Sequence, residues 1–250
     1  MKLISKKNCT SFVRDPFTIF EIKDFLPEKQ FLNLLKSFPD ESLFSKQKNS
    51  ILTLSNNEKI IGDKTFNNFL RTSNEWNFFF DELNKKEQVN SIFNLSVAPN
   101  FKSRGFSALK KWVTRDQNFF LKKLTRKVKF QLNFFIHKQN AILYPHTDAK
   151  SKLISLVYYL SDNSDLKKGT DFWTIYKNKE KWKNLIGSKF NDNDEIMWKE
   201  FNEDCKITYK CEFEPNKLIG FFRNDESIHS VSVINKNVNA SRKSVSIFIA

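Results

Sequence analysis

Short apolar runs separated by polar turns fill residues 128–250, and apolar residues at helical spacing precede them. This order predicts a mainly β fold with helical support. The architecture that suits it is a double-stranded β-helix, or jelly roll, with helices on its amino-terminal side. A third observation places a site on that scaffold. His146 and Asp148 lie two residues apart, just before the apolar run 153–160, and an extended backbone turns both side chains to one side.

Along the chain, residues 12–22 alternate as an opening strand, with Pro16 marking a bend or an edge. Asp24-Phe25-Leu26-Pro27-Glu28 supplies a helix start with proline in the first turn. Phe31, Leu34, Leu35 and Phe38 continue at helical spacing until Pro39-Asp40 stops the helix. Residues 41–62 read as irregular apart from a short strand at 51–54. Further helices are expected around 76–83 and over about 107–124, where Leu109, Trp112, Val113, Phe120 and Leu124 form a stripe. From residue 128 the texture changes, and strands are expected over 128–137, 152–160, 169–176, 218–222, 228–234 and 244–249. Segment 177–213 is dense in Lys, Asn, Asp and Glu, with apolar islands at Trp182, Leu185-Ile186 and Ile196-Met197-Trp198. It reads as an insertion or lid rather than a barrel strand. No repeat or low-complexity linker divides the chain. One domain over 1–250 is therefore expected, with helical support in 1–127 and the jelly-roll core in 128–250.

Composition narrows the function. With 250 residues and 27 Phe the chain can build a sizeable core. No apolar run is long enough for a membrane span, and the first residues lack the apolar region of a secretory signal. Cys9, Cys205 and Cys211 are too scattered for a disulfide framework or a zinc site, so a reduced, cytoplasmic protein is expected. The net charge of +14 comes mostly from dispersed Lys in a chain also rich in Asn, Phe and Ile. That pattern fits codon bias better than a nucleic-acid surface.

The chain has three histidines, His137, His146 and His229. Two neutral imidazoles and one carboxylate on one face, with coordination positions left open, form the ligand set that suits non-haem Fe(II). His146, Asp148 and His229 are the candidate metal ligands.

These residues sit in a longer ordered pattern. Pro145-His146-Thr147-Asp148, the strand 156–160, Gly169-Thr170-Asp171-Phe172, the segment 222–231 around His229, and Arg242-Lys243-Ser244 follow one another. The set resembles the His-x-Asp…His…Arg-x-Ser signature of Fe(II)/2-oxoglutarate-dependent dioxygenases, in particular their prolyl-4-hydroxylase-like branch. The resemblance covers roughly residues 128–250. It implies an Fe(II)/2-oxoglutarate-dependent dioxygenase that decarboxylates 2-oxoglutarate to succinate and CO2 with O2 and hydroxylates a substrate. Fe(II) and 2-oxoglutarate are the implied cofactors, with ascorbate as a further candidate. Related halogenases carry a small residue in place of the acid, so Asp148 favours hydroxylation. The pattern departs from the family at Asn140, where a glycine is usual, and at Pro215-Asn216-Lys217-Leu218, where a Pro-x-x-Gly turn is usual.

Arg242 can hold the far carboxylate of 2-oxoglutarate through its planar fork, which Lys does less well. Ser244 points to the same face and adds a hydroxyl, whereas Lys243 points away. Tyr144, Tyr158 and His137 are further candidates for the cofactor pocket, although aromatic strand residues more often pack in cores. Trp173, Trp182 and Trp198 can shape a cleft or simply pack; Asp171, Asp225 and Glu226 suit solvated turns. The expected substrate is a small molecule, sugar or peptidyl group. Two other readings are weighed against this one. A non-catalytic jelly-roll binding module is disfavoured by the complete ligand set. A nucleic-acid demethylase is disfavoured by Phe248, where that branch carries a second Arg.

Overall fold

The structure, a computed structural model, describes residues 8–13, 17–46, 50–55, 63–88, 90–91, 130–149, 152, 154–161, 166–186, 195–231 and 241–249. The helix predicted over 107–124 lies outside these residues, as do 128–129 and 232–234 of two predicted strands.

The amino-terminal part contributes strands as well as helices: β1 (Ser11–Val13), β2 (Ile19–Ile22), α1 (Glu28–Lys36), β3 (Ser45–Lys46), β4 (Ile51–Ser55), α2 (Asp63–Thr72) and α3 (Asn74–Leu83). The single opening strand expected over 12–22 is two antiparallel strands, with Phe12 opposite Phe20. Helix α2, which the sequence reading did not anticipate, hides its Phe66 and Leu70 stripe in an Asn-rich segment. The core follows as β5 (Phe130–His137), β6 (Leu143–His146), β7 (Ile154–Tyr159), β8 (Lys168–Ile175), α4 (Lys179–Leu185), α5 (Glu195–Asp204), β9 (Cys205–Glu212), β10 (Lys217–Phe222), β11 (Ile228–Val231) and β12 (Arg242–Ile249).

These strands form two antiparallel sheets. The larger runs β1-β2-β10-β7-β12-β5-β4-β3 and the smaller β6-β11-β8-β9. From β5 to β12 the chain crosses back and forth between them, which is the jelly-roll path the sequence predicts. The expected insertion 177–213 needs correction. Residues 205–212 are a barrel strand, the edge strand of the smaller sheet, paired with β8 from Lys168–Glu212 to Ile175–Cys205. Lys206 and Lys210 on its solvent side gave it the look of a loop, while Cys205 and Cys211 are buried. Such charges on an exposed edge also block sheet-to-sheet association. The helices α4 and α5 that precede β9 are a buttress on the outside of the smaller sheet.

Three apolar clusters fix the layers. The helices α1–α3 cover the outer face of the larger sheet, where Phe134 receives Trp76 at 4.7 Å and Phe69 at 5.5 Å between ring centroids. Between the sheets lie Phe17, Ile19, Phe172, Phe213, Ile219 and Phe221. Outside the smaller sheet, Trp182 and Phe201 of α4 and α5 close over Trp173 and Ile228. Gly220 lets Phe20 lie on β10, since a Cβ there would meet its ring at 2.1 Å.

Polar ties join the added strands to the barrel. Asn216 takes φ 58° in the β9–β10 turn, the left-handed conformation for which Asn substitutes for the usual glycine. Its side chain donates to Leu26 O at 2.8 Å and accepts from Leu26 N and Tyr158 Oη. Lys217, 2% exposed, pairs with buried Glu21 of β2, which also accepts from Tyr209 Oη at 2.6 Å. Removing one partner of such a pair strands a buried charge. Lys217→Met is expected to lower stability by about 3–5 kcal/mol, measured as a loss in the urea midpoint. A change within about 0.5 kcal/mol would show that Glu21 is satisfied without it.

Candidate metal centre

His146 ends β6 and His229 lies in β11, and the two strands pair so that these residues stand directly opposite each other. Their rings are 4.2 Å apart between centroids. Asp148 follows β6 by two residues and turns back to the same point. One ligand atom from each of His146, Asp148 and His229 lies within 4.8 Å of the others. Among the described residues this is the only group of three or more His, Cys, Asp or Glu side chains that could hold a metal ion.

Each ligand is oriented by a second contact. His146 Nδ1 lies 2.8 Å from Tyr144 O, and His229 Nδ1 lies 3.0 Å from Ser227 O. A carbonyl only accepts, so Nδ1 carries the proton and each Nε2 keeps its lone pair, as in metal sites whose histidines are fixed by backbone carbonyls. Phe221 packs on the His229 ring at 4.6 Å. Lys152 Nζ donates to Asp148 Oδ1 at 2.7 Å, Ser155 Oγ donates to Oδ2, and Arg223 Nε donates to the Asp148 carbonyl at 3.1 Å.

Electrostatics keeps the donors in ligating form. Burial, reinforced by the neighbouring His146, pushes the His229 imidazole down to about 3, and burial also lowers His146. Burial alone would raise Asp148, but His229, Lys152 and the Ser155 hydroxyl outweigh it and hold the carboxyl well below the usual range. Two neutral imidazoles and one carboxylate are the protonation states a hard-to-borderline divalent cation needs.

A second polar station lies on the inner face of the larger sheet. Arg242 opens β12 opposite His137 of β5, and Ser244 stands opposite Tyr159 of β7. Arg242 is 1% exposed, donates from Nη1 to Lys168 O, and lies over the Phe213 ring at 5.8 Å. Burial brings its guanidinium down to about 10, against the pull of Tyr159 and Asp171, so it stays charged at neutral pH. Tyr159 Oη and Thr170 Oγ1 are 2.9 Å apart beside it. His137 is buried, and its Nδ1 has no hydrogen-bond partner among the described residues. Lys243 turns to the other face, over the Phe38 ring at 5.3 Å.

Two expected pocket residues lie elsewhere. Tyr158 faces the helix layer, donates to Asn216 Oδ1 at 2.8 Å and packs against Phe25 and Phe79; its neighbour Tyr159 takes the inner position. In the largely apolar, fully packed β7 the alternation is hidden, although Ser155 marks the inner parity that Tyr159 shares. Tyr144 meets Trp198 of α5 at 5.6 Å, because β6 bulges between Leu143 and His146. That irregularity breaks strict alternation, so spacing from His146 misplaces the ring. Lys152, Ser155, Tyr159, Thr170 and Arg223 were not singled out from sequence. Asn140 takes φ 64°, supplying the left-handed turn expected of glycine.

No protein-family model matches the chain, and no curated protein sequence matches it. Among solved structures it is similar to a Pseudomonas putida prolyl-4-hydroxylase, with 11% identity over 92% of this chain and 91% of that one and a TM-score of 0.47. It is also similar to a 2OG-Fe(II) oxygenase family oxidoreductase from Burkholderia pseudomallei (9% identity, 93% and 84% covered, TM-score 0.44). A third is HygX from Streptomyces hygroscopicus with nickel and 2-oxoglutarate bound (8% identity, 93% and 82% covered, TM-score 0.49). Among the described residues, no helix is long and apolar enough to cross a membrane.

The depressed His137 has a measurable consequence. Burial first, then the Arg242 charge, brings it to about 3 from 6.5. The unfolded chain therefore binds more protons than the folded one between those values, and stability falls as pH drops from about 6.5 toward 3. One such group contributes a slope of about 1.4 kcal/mol per pH unit at most. His137→Gln is expected to flatten the acid limb of a stability–pH curve measured by urea unfolding. An unchanged slope would mean that His137 is protonated in the folded protein.

Proposed function

We propose that the protein is an Fe(II)- and 2-oxoglutarate-dependent oxygenase that hydroxylates an organic substrate. The observation that carries this reading is the convergence of His146, Asp148 and His229, each already turned by a second contact, at one point between the sheets. The donor set fits Fe(II): two imidazole nitrogens and one carboxylate oxygen, with the remaining coordination positions open.

In this reading His146 and His229 offer Nε2 and Asp148 offers a carboxylate oxygen, leaving the remaining positions open. Once bound, iron with 2-oxoglutarate supplies the activation of O2 that oxidises a substrate C–H bond, the oxo acid leaving as succinate and CO2. The protein orients and shields. Arg242 presents a desolvated, charged fork to the remote carboxylate of the oxo acid. The hydroxyls of Tyr159, Thr170 and Ser244 line the same station, and neutral His137 adds no competing charge. Phe172 and Phe221 wall His229 from water.

Anaerobic addition of Fe(II) and 2-oxoglutarate is expected to give a weak visible charge-transfer band, and air is expected to yield succinate. His146→Ala should lose both. Arg242→Lys should keep metal binding while raising the KM for 2-oxoglutarate about tenfold, as a bidentate contact becomes a single one. Absence of the band together with absence of succinate from the wild type would return the fold to a binding module.

A further inference from the structure

One cation inside the centre belongs to the chain itself. Lys152 sits four residues after Asp148, in the short segment that connects the ligand strand β6 to β7. Its side chain is 21% exposed, and its ammonium donates to Asp148 Oδ1 at 2.7 Å. An ammonium on a ligand oxygen occupies electrostatically part of the place a divalent cation would take.

The same ammonium makes a second contact while it is paired with Asp148. The Phe248 ring of β12 is 4.7 Å from Nζ, within cation–π range. Lys152 can therefore let go of Asp148 while keeping the ring contact. The carboxylate meanwhile stays anchored by Ser155 Oγ on its other oxygen and by Arg223 on its backbone carbonyl. Asp148 thus has two fixed tethers and one exchangeable one.

We infer that Lys152 is a positioning residue that acts as an internal competitor for the metal. In the metal-free protein its ammonium holds Asp148 Oδ1 toward the histidines. Metal entry breaks its ion pair with Asp148 and leaves it the Phe248 contact. The lysine keeps the triad preorganised and keeps metal affinity moderate, since every binding event exchanges one cation for another. This rests on the metal centre proposed above.

Mn(II) titration calorimetry on the wild type, Lys152→Met and Lys152→Arg tests it, with thermal melting as a check on folding. Lys152→Met is expected to bind Mn(II) about tenfold more tightly, and Lys152→Arg to keep wild-type affinity. Acetylation of Lys152, mapped by mass spectrometry, is expected to rise when Mn(II) is added, because the ammonium leaves its ion pair. Wild-type binding with equal or weaker affinity in Lys152→Met, or labelling indifferent to Mn(II), overturns the exchange while leaving the metal centre standing. No Mn(II) binding by the wild type overturns both.

Discussion

The pairing of β6 with β11 is the constraint on which the centre depends. Residues directly opposite on antiparallel strands stand about 5 Å apart, and here the opposed residues are His146 and His229. Two imidazoles from distant parts of the chain are thereby held at 4.2 Å between centroids before any other contact is counted. Asp148 needs only a short turn beyond the strand to reach the same point. Two chemically similar arrangements fix the histidines: each Nδ1 is tied to the carbonyl two residues earlier. A local backbone feature thus sets ring orientation, and sheet register sets ring distance.

Around β12 the larger sheet is apolar toward the helices and carries polar groups toward the smaller sheet. On β12, Val245 and Ile247 enter the helix-covered cluster, while Arg242 and Ser244 face inward. A guanidinium that is 1% exposed is tolerated because it is hydrogen-bonded to Lys168 O and lies over Phe213. The helices α1–α3 bury the apolar side and so hold that polarity in place. Asn216 and the Lys217–Glu21 pair fasten the amino-terminal strands to the same sheet. On the other side, α4 and α5 stiffen the smaller sheet that carries both histidines. The site is a seam between two independently buttressed sheets.

Much of this is written locally in the chain. Alternation in Arg242-Lys243-Ser244-Val245 separates the inward arginine from the outward lysine, and β12 obeys it. Strands β5, β7, β8 and β10 appear where apolar runs meet turn residues. Alternation failed where it was masked or broken. In Val157-Tyr158-Tyr159 both faces are buried, so the two tyrosines look equivalent until one is seen among helices and the other beside Thr170. At β6 a bulge turned Tyr144 toward Trp198. In β9 lysines on an exposed edge disguised a strand as a loop.

Residue type and local spacing specify the chemistry of the donors: two imidazoles, one acid in His-x-Asp spacing, and an arginine on an alternating strand. These follow from residue type and the two-residue period of an extended chain. That His229 meets His146, that β9 closes the smaller sheet, and that Lys152 reaches the carboxylate come from the folded arrangement. Each depends on register between segments far apart in the chain or on an irregular connection, and neither leaves a periodic trace among neighbouring residues.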